Sequence, residues 1–444
     1  MSLLRLAYVI ALRRIIANWR LELVLLLGVV LAVALLSSGV VFSDLLSEAA
    51  LRRALEQATP EEVNFSVRTY SGQNTPRTAP EQASAYRASL DFVEGRVASR
   101  FQPHLRARAR LLETATFFFE GHPQLELASN IRPRGQIKYM SGLLPDRIEV
   151  VQGRWPYGSS LGGVPSRGGP LEVAIDTMGA ELLRLGVGDE MAVFPATEVT
   201  EQPPMRVEIV GVFRKMDPRD EFWYGANRTF SLQYEQWPLV PLFTTEDAVL
   251  DQVIRVYPGL YIDTTWFFYL DRHSVRAREV GILQDTIQGV QQDVHTNLAN
   301  SATAIKLDQV LENYEEQLLL ARVPLFLMLF LVTGILIYYL ALVAGLVVRS
   351  RATEIAMLKS RGTTTLQVGL LTLVEGLLLA VPAVGLGPFL ALGVARALGR
   401  FFFDGSGKGQ PVPVAFSSQA FLLGVGGAIL AVAVLTISTL VAAR

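Results

Sequence analysis

Four apolar runs, each long enough to cross a lipid bilayer as a helix, constrain this chain more than any other feature. They cover residues 23–42, 323–348, 366–395 and 421–442. A helix needs about 20 apolar residues to cross the hydrocarbon core, and its backbone hydrogen bonds there must be satisfied within the protein. The runs therefore predict an α-helical integral membrane protein with four transmembrane helices.

The basic residues predict how these helices are oriented, because lysine and arginine are enriched on the cytoplasmic side of a membrane. Four arginines precede the first run and two acidic residues follow it: Arg5, Arg13, Arg14, Arg20, Asp44 and Glu48. This pattern places the N-terminus in the cytoplasm and the chain from residue 44 outside. The second run then returns the chain to a basic segment, 349–362, in agreement. The orientation is opposed by three basic residues between the third and fourth runs, Arg396, Arg400 and Lys408. The charged residues that flank the other ends of the runs favour it.

Residues 1–20 are both basic and periodic. Leu3, Leu6 and Ile10 recur at helical spacing ahead of two arginines, which predicts an interfacial amphipathic helix. The alternative is an extension of the first membrane helix. A cleaved signal peptide has about 7–15 apolar residues, and the first run is longer, so we interpret it as an uncleaved anchor.

The interval 44–322 predicts a large α+β extracytoplasmic domain between the first and second membrane helices. Period-two alternation predicts strands and a spacing of three to four predicts helices. The predicted strands are 63–69, 171–175, 191–194, 207–213 and 260–270, and the predicted helices are 179–185 and 275–298. Helical spacing in 44–55 and 305–318 predicts that the membrane helices continue outward as stalks. Pro324 is expected in the first turn of a new helix.

Several short motifs follow one another in a defined order. They are Gln152-Gly153-Arg154-Trp155-Pro156, then Gly186-Val187-Gly188-Asp189, then Val207-Glu208-Ile209-Val210-Gly211-Val212-Phe213. The segment 349–362 contains Glu354 and ends in glycine, and Gln367 and Glu375 follow it. Together with one domain between the first two of four membrane helices, this order resembles the FtsX/MacB-like permease family of ATP-binding-cassette (ABC) systems, which includes lipoprotein-releasing permeases.

The resemblance implies the permease subunit of a type VII-like ABC system, not an enzyme. A separate cytoplasmic ABC ATPase hydrolyses ATP and pushes on the segment between the second and third membrane helices. Two permease copies, or a copy and a homologue, pair within the membrane lipid, and the stalks pass motion to the outer domains for export or release of a substrate. The implied location is the bacterial cytoplasmic (inner) membrane. The implied outer domain combines a ferredoxin-like part near the stalks with an inserted lobe.

Two other functions are kept open beside this one. A non-transport, mechanotransmitting sensor or scaffold would use the same stalks to regulate an extracytoplasmic partner such as a cell-wall hydrolase. A membrane-bound enzyme is disfavoured, because the chain has no cysteine, its four histidines are dispersed, and no nucleophile, base or metal set converges. We therefore predict no catalytic, cofactor or metal site and no nucleic-acid partner. The acidic and aromatic segment 217–223 is interpreted as a solvated loop.

The segment 349–364 is predicted to be a cytoplasmic coupling segment. The coupling residues that the resemblance implies are Arg351, Glu354, Ile355, Leu358, Lys359, Arg361 and Gly362. Residues 352–361 predict a short helix ended by Gly362, and Thr364 with Gln367 forms a capping-box pattern for the next helix. An ordinary basic loop at the cytoplasmic face is the alternative interpretation.

Glu375 lies about ten residues into the third apolar run. Ionisable groups in the membrane are costly and face a bundle interior or an interface. Glu375 therefore predicts either a helix-packing or coupling contact, or a membrane boundary that begins later in the sequence. Gly424 and Ala428 in the fourth run are typical of close helix packing.

These expectations divide the chain into eight segments. They are an interfacial helix 1–20, transmembrane helix 21–43, the extracytoplasmic domain with its stalks 44–322, transmembrane helix 323–348, the coupling segment 349–364, transmembrane helix 365–397, an external loop 398–416 and transmembrane helix 417–444. Because the fourth run ends the chain, it is expected to be either complete or the first half of a longer permease.

Overall fold

The computed structural model describes residues 19–70, 78–120, 133–144, 146–157, 169–196, 203–224, 230–233, 238–350, 352–360, 362–403 and 418–442. These residues form two compact units. The helical unit comprises Met1–Arg53 and Asn313–Arg444, and the sheet unit comprises Ala54–Glu312. The predicted interfacial helix 1–20 and external loop 398–416 fall largely outside the described residues.

The helices are numbered in chain order. They are α1 (Trp19–Gln57), α2 (Pro60–Val63), α3 (Ala79–Asp91), α4 (Ala98–Phe101), α5 (Thr177–Leu183), α6 (Glu246–Ala248), α7 (Ile254–Val256), α8 (Val280–Asn297), α9 (Leu307–Ser350), α10 (Ala352–Ser360), α11 (Thr365–Phe403) and α12 (Ser418–Ala442). Turns of π-helix follow α3 and α6, at Phe92–Val97 and Val249–Val253. Turns of 3₁₀-helix span Gln102–His104, Glu221–Trp223 and Ala277–Glu279.

The strands belong to one mixed sheet. They are β1 (Phe65–Tyr70), β2 (Leu105–Glu120), β3 (Arg134–Met140), β4 (Ile148–Gly153), β5 (Leu171–Asp176), β6 (Glu190–Pro195), β7 (Met205–Lys215), β8 (Leu232–Gln233), β9 (Pro238–Phe243), β10 (Ile262–Leu270) and β11 (Ser301–Ala304). Their main order is β11-β1-β10-β2-β3-β9-β5-β7-β4, with β6 paired to β2 and β7, and β8 paired to β9.

Four helices of the described chain, α1, α9, α11 and α12, are long and apolar enough to cross a membrane, as predicted. Helix α1 has 39 residues and α9 has 44, which correspond to about 58 Å and about 66 Å. The hydrocarbon core is only about 30 Å thick. Both helices are therefore longer than a membrane crossing requires.

The expectation for Pro324 is wrong, because α9 begins at Leu307 and runs through Pro324 without a break. Proline lacks the N–H that would bond to the carbonyl four residues earlier. That carbonyl belongs to Leu320, whose side chain is 75% exposed, so this turn lies on an open surface of the helix. The apolar helical sequence continues before and after Pro324, and it keeps α9 intact despite the loss of one hydrogen bond.

Small residues bring the long helices of the helical unit together. Ala32, Val33 and Ala383 are fully buried and share an apolar cluster with Ala428. A Cβ at Gly424 would lie 2.7 Å from Ser37 Oγ on α1. The predicted close packing at Gly424 and Ala428 is confirmed: Gly424 approaches α1 and Pro388 of α11, and Ala428 is buried in the same cluster.

One end of the sheet has a ferredoxin-like arrangement. The strands β11, β1, β10 and β2 are consecutive and antiparallel. The connection from β1 to β2 contains α3 and α4, and α8 connects β10 to β11, so two β-α-β units interlock. Helix α8 turns an apolar face inward through Leu283, Ile287, Val290 and Val294, all buried.

The remaining strands form an inserted lobe, defined as the described residues between β2 and β10. Its core has two apolar clusters, one of which is rich in aromatic side chains. Two residues of the segment 217–223 belong to that aromatic cluster, Phe222 at 5% exposure and Trp223 at 3%. The prediction of a solvated loop is therefore wrong for these two residues, whereas 217–219 are exposed as predicted.

Candidate functional site

Helix α10 lies between two helices of membrane length. It spans Ala352–Ser360, close to the predicted 352–361. Gly362 follows with a φ of +87°, a left-handed conformation that costs glycine little and lets the chain turn sharply after a helix. The sequence therefore encodes a helix, a stop and a new start within about 15 residues.

The start of α11 is capped as predicted. The backbone N–H of Thr364 donates to Gln367 Oε1 at 3.0 Å, and the N–H of Gln367 donates to Thr364 Oγ1 at 3.4 Å. This reciprocal pair satisfies two N–H groups that have no partner within the helix. It fixes where α11 begins and hence the length of the connection after α10.

The coupling residues are distributed over this connection. Glu354, Ile355, Leu358 and Lys359 belong to α10, but their side chains lie outside the described part of the structure. Arg351 and Arg361 lie outside it entirely. Ala356 and Met357, whose side chains are described, are both exposed, so this face of α10 is open to solvent or to a partner.

Glu375 lies inside the helical bundle. It belongs to α11 and is 1% exposed. Its neighbour Leu379, one turn further along α11, belongs to an apolar cluster that also contains Leu25 of α1. Of the two readings of the sequence, this burial favours a packing contact within the bundle.

A second buried carboxylate, on α1, was missed by the sequence analysis. Glu22 is 2% exposed and precedes Leu25 by one helical turn. Because Leu25 and Leu379 share one cluster, Glu22 and Glu375 lie at a similar level of the bundle. The available signal was an acidic residue between Leu21 and Leu23, directly before the first apolar run.

The described part of the chain contains no candidate metal-binding site. No group of three or more His, Asp or Glu side chains there is arranged to hold a metal ion. The candidate site consists of the short helix α10, the turn at Gly362 and the buried carboxylates Glu22 and Glu375.

Comparison with known proteins identifies a family match in the C-terminal part of the chain. Residues 326–444 match the FtsX-like permease C-terminal family. The matched segment begins within α9 and includes α10, α11 and α12, so this part of the chain carries an FtsX-like permease domain, in agreement with the predicted FtsX/MacB-like resemblance. This family consists of non-enzymatic transporter components that generally work with a cytoplasmic ABC ATPase.

A solved structure of a permease-protein domain from Porphyromonas gingivalis is also similar to the chain. The identity is 12%, and the match covers 55% of this chain and 88% of that one, with a TM-score of 0.24. A likeness at this TM-score carries no argument about fold or function. No curated protein matches the chain significantly.

Proposed function

We propose that this chain is the permease subunit of a type VII-like ABC system, and that a separate cytoplasmic ATPase acts on residues 349–364. The observation that carries the proposal is α10, a nine-residue helix between two membrane-length helices, within the segment that matches FtsX-like permeases. A short helix flanked by basic residues is too polar to lie in the hydrocarbon core. It is therefore available to a protein at the membrane face.

The proposed roles of the coupling residues follow from their chemistry. Arg351, Lys359 and Arg361 would pair with acidic groups of the ATPase, and Glu354 with a basic one. The two apolar residues, Ile355 and Leu358, would fill a pocket on the ATPase surface. Gly362 lets the chain turn into α11, and Glu375 holds α11 within the bundle.

The motion proposed to follow is mechanical. Displacement of α10 would move α9 and α11, and the long helices α1 and α9 would carry the movement to the sheet unit on the opposite side of the membrane. Two copies, or one copy and a homologue, would work together in the bacterial cytoplasmic membrane, with the N-terminus inside. The work would serve export or release of a substrate.

The proposal is tested by co-purification of the full-length chain with the ABC ATPase of the same cell. Replacing Glu354 and Leu358 together with alanine removes one charge and one apolar contact from α10. We expect the recovered ATPase to fall about tenfold or more, since a lost interfacial anchor costs about 2 kcal/mol. Unchanged recovery would contradict the coupling role.

A matched control makes the same chemical change elsewhere. Leu144 and Glu149 of the sheet unit are both exposed, so replacing both with alanine removes the same groups without touching α10. The control variant should recover as much ATPase as the unaltered chain. A loss in both variants would indicate general destabilisation.

A further inference from the structure

Arg272 binds the end of α1, the helix that leaves the first apolar run. Its Nη1 donates to the carbonyl oxygen of Leu55 at 2.9 Å and to that of Ala58 at 2.8 Å. The last carbonyls of a helix have no donor within the helix and carry partial negative charge. One guanidinium, from the turn after β10, therefore satisfies two carbonyl groups at the terminus of α1.

Glu221 connects this cap to the inserted lobe. Its Oε1 accepts from Arg272 Nη2 at 3.3 Å and from Asn64 Nδ2 at 2.9 Å, and its Oε2 accepts from Arg106 Nη2 at 3.0 Å. Asn64 is fully buried, and its Oδ1 accepts from the backbone N–H of Leu270 at 2.9 Å. Both oxygens of one carboxylate thus tie the inserted lobe to the ferredoxin-like strands and, through Arg272, to α1.

The position of Glu221 is fixed by the buried backbone around it. Its 3₁₀ turn is closed by Asp220, which accepts from the N–H of Phe222 at 2.8 Å. The hydroxyl of Tyr269 donates to the carbonyl of Phe222 at 2.7 Å, and the hydroxyl of Tyr224 donates to that of Phe65 at 2.5 Å. A carboxylate held in this way moves only with its whole segment.

We propose that Arg272 and Glu221 are positioning residues that transmit displacement of the end of α1 to the inserted lobe. This rests on the proposed function, in which α1 acts as a stalk. A guanidinium fork suits the task, because it holds two carbonyls and a carboxylate in one rigid plane. Removal of either residue would leave each side folded but mechanically separate.

The alternative is that Arg272 merely caps a helix. Glu221 separates the two explanations, because the contacts that it makes are to Arg272, Asn64 and Arg106 and not to the carbonyls of α1. In a simple cap, loss of Glu221 would leave the end of α1 unchanged. In a transmitting joint, loss of Glu221 would loosen the end of α1 through Arg272.

The test is hydrogen–deuterium exchange on the full-length chain in lipid nanodiscs, with R272Q, E221Q and the double variant. Each single variant should raise exchange about tenfold or more at amides 54–58 and at amides 222–224, since hydrogen bonds to charged groups stabilise more than those between neutral groups. The double variant should exchange no faster at 54–58 than R272Q does. Unaltered exchange at 54–58 in E221Q would overturn the proposal, as would additive effects in the double variant.

Two further variants serve as controls. R154Q breaks the paired hydrogen bonds from Arg154 to Glu172 elsewhere in the sheet unit, at 2.7 and 2.6 Å, and should leave both segments unchanged. R272K keeps the charge but loses the fork, so it should exchange at an intermediate rate and serves if R272Q fails to fold. If R272K exchanges as fast as R272Q at both segments, the proposed link between α1 and the inserted lobe is upheld and depends on the forked guanidinium group. If both arginine variants exchange at the wild-type rate, the proposal is overturned.

This experiment requires no ATPase, so its outcome is independent of the co-purification test. Loss of ATPase binding with an intact joint would contradict the proposed function alone. Retained ATPase binding with no response of α1 to E221Q would contradict the joint alone.

Discussion

At the scale of the residue, Lys138 places an ammonium group inside the sheet unit. The residue is 1% exposed, and its Nζ lies 2.6 Å from Glu113 Oε1 on the neighbouring strand. Burial lowers the pKa of Lys138, and the nearby Glu113 carboxylate opposes that change. Asp263 stands opposite Glu113 on β10, and Arg68 binds Asp263. The four charges span four strands and sum to zero, and pairing of this kind is what allows the buried ammonium group of Lys138 to stay charged.

We predict that removing one member of the Lys138–Glu113 pair costs more than removing both. E113Q removes the carboxylate that is hydrogen-bonded to the buried ammonium group, and should lower the free energy of unfolding by about 3 kcal/mol. K138M combined with E113Q removes both charges, and should lie within about 1 kcal/mol of the unaltered chain. Thermal unfolding of the full-length protein, followed by tryptophan fluorescence, measures both. The prediction fails if the double variant is less stable than E113Q.

Glu221 gives the protein a pH dependence. Burial alone raises the pKa of Glu221, but the hydrogen bond from Asn64 and the charges of Arg106 and Arg272 outweigh it and hold the pKa below the ordinary 4.5. A carboxyl group with a lowered pKa in the folded state stabilises the protein above the pKa of the unfolded state. That stabilisation is lost as the pH falls through the folded-state pKa.

Below about pH 4.5, the unfolding free energy of the unaltered chain should therefore fall more steeply with pH than that of E221Q. Chemical denaturation at a series of pH values between about 7 and 3 measures the two slopes. Because the other carboxyl groups titrate equally in both proteins, the difference in slope belongs to Glu221. Equal slopes would show that the pKa of Glu221 is not lowered.

At the scale of the element, the contact of α12 with α1 depends on a glycine. A Cβ at Gly424 would lie 2.7 Å from Ser37 Oγ and 3.2 Å from Val33 Cγ1. Ser37 is fully buried and donates to the carbonyl of Ala420 at 3.0 Å. A side chain at position 424 would therefore separate two helices and disturb an interhelical hydrogen bond.

Gly424→Val should destabilise the bundle by about 1–3 kcal/mol, as overpacking does elsewhere. Gly426→Val is the matched control on the same helix, since a Cβ there meets no described atom within 4 Å. The two variants are compared by the melting temperature of the detergent-solubilised protein. Only Gly424→Val should have a lower melting temperature than the unaltered chain. A similar fall in both would mean that valine disturbs α12 itself rather than its contact with α1.

The strand β2 shows why one element escaped prediction. It is 16 residues long and pairs with β10, β3 and β6, yet the alternation of arginine with apolar residues over 105–111 is interrupted at Leu111-Leu112. Arg110 lies on the face covered by helices, where its two Nη atoms donate to Glu94 at 2.6 Å and Glu246 at 2.5 Å. Both carboxylates come from distant elements, so nothing near Arg110 in the sequence signals that it can be buried.

At the scale of the whole molecule, the orientation proposed for the membrane helices makes a direct prediction. The chain has no cysteine, so single cysteines report sidedness without background. Ala356 of α10 and Gln288 of α8 are both exposed. Ala356→Cys should react with an impermeant maleimide only after the cells are opened, and Gln288→Cys should react in intact cells. Labelling of position 356 from outside, or of position 288 only from inside, would reverse the topology and contradict the proposed function.

The local structure of the coupling segment was predicted correctly from the sequence. The helix, the turn at Gly362 and the cap formed by Thr364 and Gln367 all depend on residues within four positions of one another, and the structure reproduces them. The burial of Glu22 and Glu375 was not determined in this way, because it depends on which faces of α1 and α11 turn toward the bundle. The roles of the coupling side chains stay predictions for the co-purification test.

The amino-acid sequence by itself determined the four long helices and the turns between them, since a helix satisfies its hydrogen bonds among near neighbours and its hydropathy is a property of one continuous run. Only the tertiary structure decided the burial of Phe222 and Trp223 and the pairing of β2. It also brought Arg272 to the end of α1 and to Glu221, residues 217 and 51 positions away. A buried charge is stable only beside its partner, and partners so distant are brought together by packing rather than by local sequence.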